Sequence, residues 1–101
     1  MTEQQIMKAH QIALHYGKSK QRMQAVQELS ELILVISRRP DQKIDRRAYL
    51  NDLIDEMADS LVMIEQMRQL YEINPIEIER RITEKLNRQL KRIENEQEVA
   101  K

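Results

Sequence analysis

The chain of 101 residues contains no cysteine, tryptophan or phenylalanine, and its aromatic residues are three tyrosines. The absence of cysteine excludes disulfide bonds and thiolate chemistry. With so few aromatic side chains, a core must be built from aliphatic residues and the six methionines. Such a core is modest in a chain of this length, and a thin aliphatic core favours self-association.

Net charge is also lacking, because 17 basic residues balance 17 acidic ones. This balance removes the general attraction that draws basic proteins to nucleic acid or to anionic membranes, so we expect neither as a partner. The amino-terminal MTEQQIMKAHQ lacks the apolar centre of a signal peptide, and the longest apolar run covers only residues 32–36. We therefore expect a soluble, cytoplasmic protein.

One glycine and two prolines punctuate a chain that is otherwise rich in helix-forming residues. Gly17 suits a left-handed residue just past a first helix. Asn74 and Pro75 suit the cap and first turn of a last helix, and Glu77 would complete a capping box. These signals predict a single all-α domain over residues 1–101, folded as a four-helix bundle. The predicted helices cover about residues 3–16, 19–37, 46–71 and 75–96, with the longest connection at residues 38–45.

Apolar residues recur with helical periodicity and predict which faces form the core. The stripe of the second helix is Ala25, Leu29, Leu32, Ile33 and Ile36, that of the third is Leu50, Leu53, Met57, Leu61 and Ile64, and that of the fourth is Ile78, Ile82, Leu86 and Leu90. We expect these stripes to face the inside of the bundle.

Two pairs of acidic residues with i, i+3 spacing flank these stripes. Glu28 and Glu31 lie on the shoulder of the second helix, and Glu56 and Asp59 on that of the third. If the helices pack antiparallel, the carboxylates meet, and their repulsion raises their pKa values unless a cation neutralises them. A hard divalent ion such as Mg²⁺ prefers such oxygen ligands. With 17 acidic residues in the chain, such pairs also arise by chance on a solvated surface.

QELSEL at residues 27–32 and EMAD at residues 56–59 resemble the Glu-x-x-Glu and Glu-x-x-Asp motifs of the all-α nucleoside triphosphate pyrophosphohydrolases, the MazG-like superfamily. The resemblance covers most of the chain, about residues 9–92. It implies hydrolysis of a (deoxy)nucleoside triphosphate to a monophosphate and pyrophosphate, and assembly as a homodimer or homotetramer. It also implies a Mg²⁺ site, with Mn²⁺ as a substitute ion, formed by Glu28, Glu31, Glu56 and Asp59.

Further residues are candidates for catalysis and for substrate binding. Glu28 or Glu31 is our candidate for the catalytic base. Lys85 and Arg88 resemble the lysine and arginine that face the phosphates in this family, although a solvated helix also carries such residues in i, i+4 ion pairs. Two more candidates for nucleotide contacts, Lys18 and Gln21, lie on or just before the acidic row of the second helix.

A non-catalytic function remains open at this point. The chain could be a helical oligomerisation or interaction module, in which the four acids are surface residues and the apolar stripes serve assembly alone. The two interpretations differ in whether divalent ions stabilise the protein.

Overall fold

In a computed structural model of the chain, residues 1–38 and 45–100 are described, and they form three helices and no strand. The helices are α1 (Glu3–Ser37), α2 (Arg46–Leu70) and α3 (Pro75–Val99). The all-α expectation is confirmed. Of the predicted connection at residues 38–45, only the two ends lie within the described part of the chain. None of these helices combines the length and apolarity needed to cross a bilayer.

Helix α1 begins at a capping box and contains a break at Gly17. The Thr2 hydroxyl accepts a hydrogen bond from the Gln5 amide nitrogen (3.1 Å), and the Gln5 side chain accepts one from the Thr2 amide nitrogen (2.8 Å). Gly17 has φ 84° and ψ 170°, outside the helical region. The positive φ that we predicted at Gly17 is therefore present, but the break lies within α1, so the described helices number three rather than four.

The junction between α2 and α3 is fixed by local hydrogen bonds. Glu72 has a positive φ of 53°, and the next amide, that of Ile73, donates to the Arg68 carbonyl (2.9 Å), which closes α2 in a Schellman motif. The Asn74 side chain accepts from the Ile76 amide (3.0 Å), and Pro75 lies in the first turn of α3, as predicted. The expected capping box is absent, because the Glu77 carboxylate forms an ion pair with the Arg80 guanidinium instead (2.7 Å between nitrogen and oxygen).

Helices α1 and α2 pack antiparallel, and their contact is made mainly by small and polar residues. Gln21 near the middle of α1 bonds Gln66 near the end of α2, while Arg38 at the end of α1 reaches Asp52 near the start of α2. The buried residues are Ala9, Ala13, Gln21, Ala25, Val35, Ser60, Met63 and Gln66. Small side chains let the two backbones approach closely, and the contact line follows them.

The predicted core stripes are for the most part not buried. Of the α1 stripe only Ala25 is buried, and of the α2 stripe no member is, although Leu53 is half-buried. No residue of α3 is buried, and α3 has at most marginal contact with the other helices. The apolar periodicity was identified correctly, but the prediction that these stripes face inward is wrong for the single chain. The single chain is therefore an α1–α2 hairpin with α3 extending from it.

Candidate metal centre

The predicted acidic residues lie at the contact between α1 and α2. Glu28 and Glu31 belong to consecutive turns of α1, and Glu56 faces them from α2. Their convergence follows from the antiparallel pairing, because residues near the end of α1 lie beside residues in the first half of α2. The shoulder of each predicted stripe, and not the stripe itself, is the surface where the two helices meet.

Three of the four carboxylates converge closely. Each of Glu28, Glu31 and Glu56 offers one carboxylate oxygen, and these oxygens lie within 4.8 Å of one another. All three residues are half-buried, whereas Asp59, the fourth predicted ligand, is exposed. Asp59 is nonetheless near enough for its charge to raise the pKa values of Glu28 and Glu56. The structure thus places three acids at the centre and Asp59 at the rim.

Two oxygens of this cluster are buried without a hydrogen-bond partner. Glu28 accepts a hydrogen bond at Oε1 from the Gln24 side chain (2.8 Å), but its Oε2 is buried and unpaired. Glu56 Oε2 is also buried and unpaired. Charged oxygens removed from water require a compensating partner. A set of converging carboxylate oxygens fits a hard divalent cation such as Mg²⁺ or Mn²⁺.

The electrostatics of the cluster favour protonation when no cation is bound. Burial raises the pKa of Glu28 above its ordinary 4.5, and the charges of Glu31 and Asp59 raise it further, while the Gln24 hydrogen bond opposes the rise. Burial likewise raises the pKa of Glu56, followed by the charges of Glu31, Asp59 and Glu28. Loss of solvation and mutual repulsion act in the same direction here.

The sequence did not predict that polar side chains would be buried elsewhere along the contact between α1 and α2. The Gln21 Nε2 donates to Gln66 Oε1 at 2.6 Å, and both side chains are almost completely buried. Ser60, one turn beyond Glu56, is 2% exposed, and its hydroxyl oxygen has no partner. Gln66 and Ser60 lie on the shoulder row of α2 that continues from Glu56, so the spacing that identified the acids also contained this signal.

The predicted substrate-binding residues lie in different places. Gln21 is occupied by Gln66. Lys18 is exposed, with its Nζ 5.3 Å from the centre of the Tyr71 ring, a cation–π contact. Lys85 and Arg88 lie on α3, which does not pack against the α1–α2 hairpin, and none of the ion pairs among the described residues joins them to the acidic cluster. The structure therefore does not bring the basic candidates to the acids within one chain.

Lys85 and Arg88 do share a surface depression on α3. The residues that line it are Arg80, Arg81, Glu84, Lys85 and Arg88. Four of these five side chains are basic, so the depression presents a local positive surface in a chain with no net charge.

Comparisons of the chain with models of known protein families, with curated proteins and with solved structures found no significant match.

Proposed function

We propose that the protein is a Mg²⁺-dependent nucleotide pyrophosphohydrolase, which cleaves a (deoxy)nucleoside triphosphate to a monophosphate and pyrophosphate. The observation that supports this most directly is the convergence of Glu28, Glu31 and Glu56 from two helices, with unpaired buried oxygens and raised pKa values. The proposed reaction comes from the resemblance of QELSEL and EMAD to the MazG-like superfamily. The proposed assembly is a homodimer or homotetramer.

The four acids have distinct places in the proposed mechanism. Glu28, Glu31 and Glu56 would hold the cation, and Asp59 would add a ligand at the solvent-exposed rim. When bound, Mg²⁺ neutralises the triphosphate and lowers the pKa of a water molecule. Glu28 or Glu31, the two candidates for the catalytic base, would accept the proton of the attacking water.

Substrate binding in the proposal uses the basic residues that the sequence singled out. Lys18 lies near the carboxyl end of α2, beside Tyr71. Lys85 and Arg88 bind phosphate oxygens through the positive surface of α3, and they reach the acids only if α3 of another subunit, or a different position of α3, brings them there. Gln21 is occupied by its hydrogen bond to Gln66, so a contact between Gln21 and the nucleotide would require that bond to break.

The activity is tested by incubating the protein with a panel of nucleoside triphosphates and Mg²⁺ and identifying the products. We expect monophosphate and pyrophosphate in equal amounts. The variants Glu56→Ala and Asp59→Ala should lose turnover while they remain folded. Asp55→Ala, which removes an exposed acid next to Glu56, is the matched control and should retain activity. Release of orthophosphate, no turnover across the panel, or full activity in Glu56→Ala would contradict the proposal.

A second candidate is a helical oligomerisation or interaction module without catalytic activity. The exposed apolar stripes favour this candidate, because large exposed apolar surfaces are typical of protein interaction sites. They include Ile82, Leu86 and Leu90 on α3. This candidate predicts that Mg²⁺ leaves the melting temperature unchanged, whereas a cation bound to the native state alone must raise it.

A further inference from the structure

One side of the α1–α2 hairpin is apolar and exposed. Its side chains are Leu29, Ile33 and Ile36 of α1 and Leu50, Ile54 and Met57 of α2, with exposed fractions between 36% and 64%. We call this surface the apolar face. Five of the six belong to the stripes that helical periodicity assigns to a core, and Ile54 adjoins them.

The two helices contribute to this face on the same side of the hairpin. At about 100° per residue, Leu29, Ile33 and Ile36 lie roughly 110° around α1 from the contact line marked by Glu28 and Val35. The α2 residues lie about the same angle, in the same rotational sense, from the line marked by Glu56 and Ser60. Because the helices are antiparallel, equal rotations in the same sense lead to the same side. The apolar face is therefore continuous and two helices wide.

The acidic cluster opens on the other side of the hairpin. Glu31 and Asp59 are displaced from the two contact lines in the opposite rotational sense, by roughly 50° to 80°. Residues 29–36 and 50–57 contain only four charged side chains, all acidic and all on the contact line or beyond it. The apolar face is consequently uncharged, and covering it leaves the acids accessible.

The surface area of the chain shows how much remains to be covered. Its accessible surface is 8786 Å², whereas a compact monomer of 12.1 kDa exposes about 6,000 Å². The radius of gyration is 17.7 Å, against about 13 Å for a compact domain of this length. The excess of about 2,800 Å², to which the unpacked helix α3 also contributes, is several times the roughly 800 Å² that each partner buries in a standard interface.

We propose that the apolar face binds the same face of a second copy of the chain, so that the two acidic clusters lie on the outer sides of the dimer. Two uncharged faces of equal width are self-complementary about a two-fold axis, where a single patch meets its own copy. The zero net charge of the chain removes long-range repulsion between copies. The inference extends the assembly included in the proposed function and does not depend on hydrolysis.

Two neighbouring residues provide a matched test. Ile33 and Leu34 are both 64% exposed on α1, but Ile33 lies on the apolar face and Leu34 on the side of the acids. Sedimentation velocity over a range of concentrations should show a dimer for the unmodified protein. Ile33→Glu should weaken dimerisation at least about tenfold, because it buries charges in the interface, whereas Leu34→Glu should leave it unchanged.

The opposite results overturn the inference. A monomeric unmodified protein at micromolar concentration, or an Ile33→Glu variant that dimerises as well as Leu34→Glu, would show that the apolar face is not the interface. If circular dichroism shows that Ile33→Glu is unfolded, Ile33→Ala and Leu34→Ala replace the pair, and only the first should weaken the dimer. Because the measurement reads association, its failure is distinct from the absence of pyrophosphate release.

Discussion

At the scale of single residues, the charged carboxylates of Glu28 and Glu56 destabilise the folded, cation-free protein. Each has a buried, unpaired oxygen and a pKa above its ordinary value. Structural stability alone gives no reason for such an arrangement, since a neutral residue of similar shape would avoid the cost. Binding of a cation, as proposed above, would offset this cost.

The raised pKa values predict how the cation-free protein responds to pH. Because the folded state holds protons on Glu28 and Glu56 more tightly than the unfolded state does, the free energy of unfolding should fall as pH rises above 4.5 and then level off beyond the raised pKa values. The variant Glu56→Gln should show a smaller fall and should be more stable than the unmodified protein at pH 7. Urea unfolding between about pH 5 and pH 8, in the presence of a chelator, measures this.

Two controls define that experiment. Asp55→Asn changes an exposed acid next to Glu56 and should leave the pH profile unaltered. Measurements stay above pH 4.5 because Glu65 acts in the opposite direction: the Arg68 hydrogen bond lowers its pKa, so its stabilising contribution is lost as pH falls below 4.5. A Glu56→Gln variant that is less stable than the unmodified protein at pH 7 would contradict the claim that the charged Glu56 carboxylate destabilises the cation-free protein.

The buried Gln21–Gln66 hydrogen bond gives a second prediction at this scale. Gln66→Leu removes the acceptor and leaves the Gln21 amide buried and unpaired, which should cost about 1–3 kcal/mol in the free energy of unfolding. The double variant Gln21→Leu/Gln66→Leu removes both partners and should cost less than the sum of the two single changes. Urea unfolding of the unmodified protein, the two single variants and the double variant measures the coupling energy between Gln21 and Gln66. If the losses in the free energy of unfolding are strictly additive, the hydrogen bond contributes little.

At the scale of helices, the sequence was sufficient to predict helix ends and breaks that depend on interactions within one turn. The end of α2 and the start of α3 at Asn74 and Pro75 were predictable, because capping and proline preference act within one turn. The break at Gly17 was predictable for the same reason. The contact line was not: periodicity shows that Leu50, Met57 and Leu61 share a face, but not which neighbour covers that face. Small and polar residues such as Ala9, Ala13 and Ser60, which did not belong to the predicted stripes, make much of the actual contact.

Gly17 provides the prediction at this scale. Its φ of 84° is a conformation that L-residues rarely adopt, and an added Cβ would meet no atom within 4 Å. The cost of Gly17→Ala is therefore one of backbone strain alone, about 1–3 kcal/mol in the free energy of unfolding. In a chemically synthesised chain, D-alanine at this position should be tolerated, because its allowed region is the mirror image. Equal stability of the L-alanine and D-alanine proteins would contradict this explanation.

At the scale of the whole molecule, the sequence predicted the acidic cluster better than the architecture around it. Glu28, Glu31 and Glu56 could be placed together because paired spacing on two antiparallel helices constrains them strongly. The positions of Lys85 and Arg88 could not be predicted, because they depend on where α3 packs, and α3 has few contacts within one chain. All three helices carry exposed apolar stripes, and the proposed assembly would supply contacts for them.

The central claim is that Glu28, Glu31 and Glu56 bind a divalent cation, and Mn²⁺ binding followed by electron paramagnetic resonance tests it most directly. Titration of Mn²⁺ into the unmodified protein should deplete the signal of the free ion, and Glu56→Gln should weaken binding at least about tenfold while Asp55→Asn binds normally. Undiminished free-ion signal with the unmodified protein, or equal binding by Glu56→Gln, would contradict the claim.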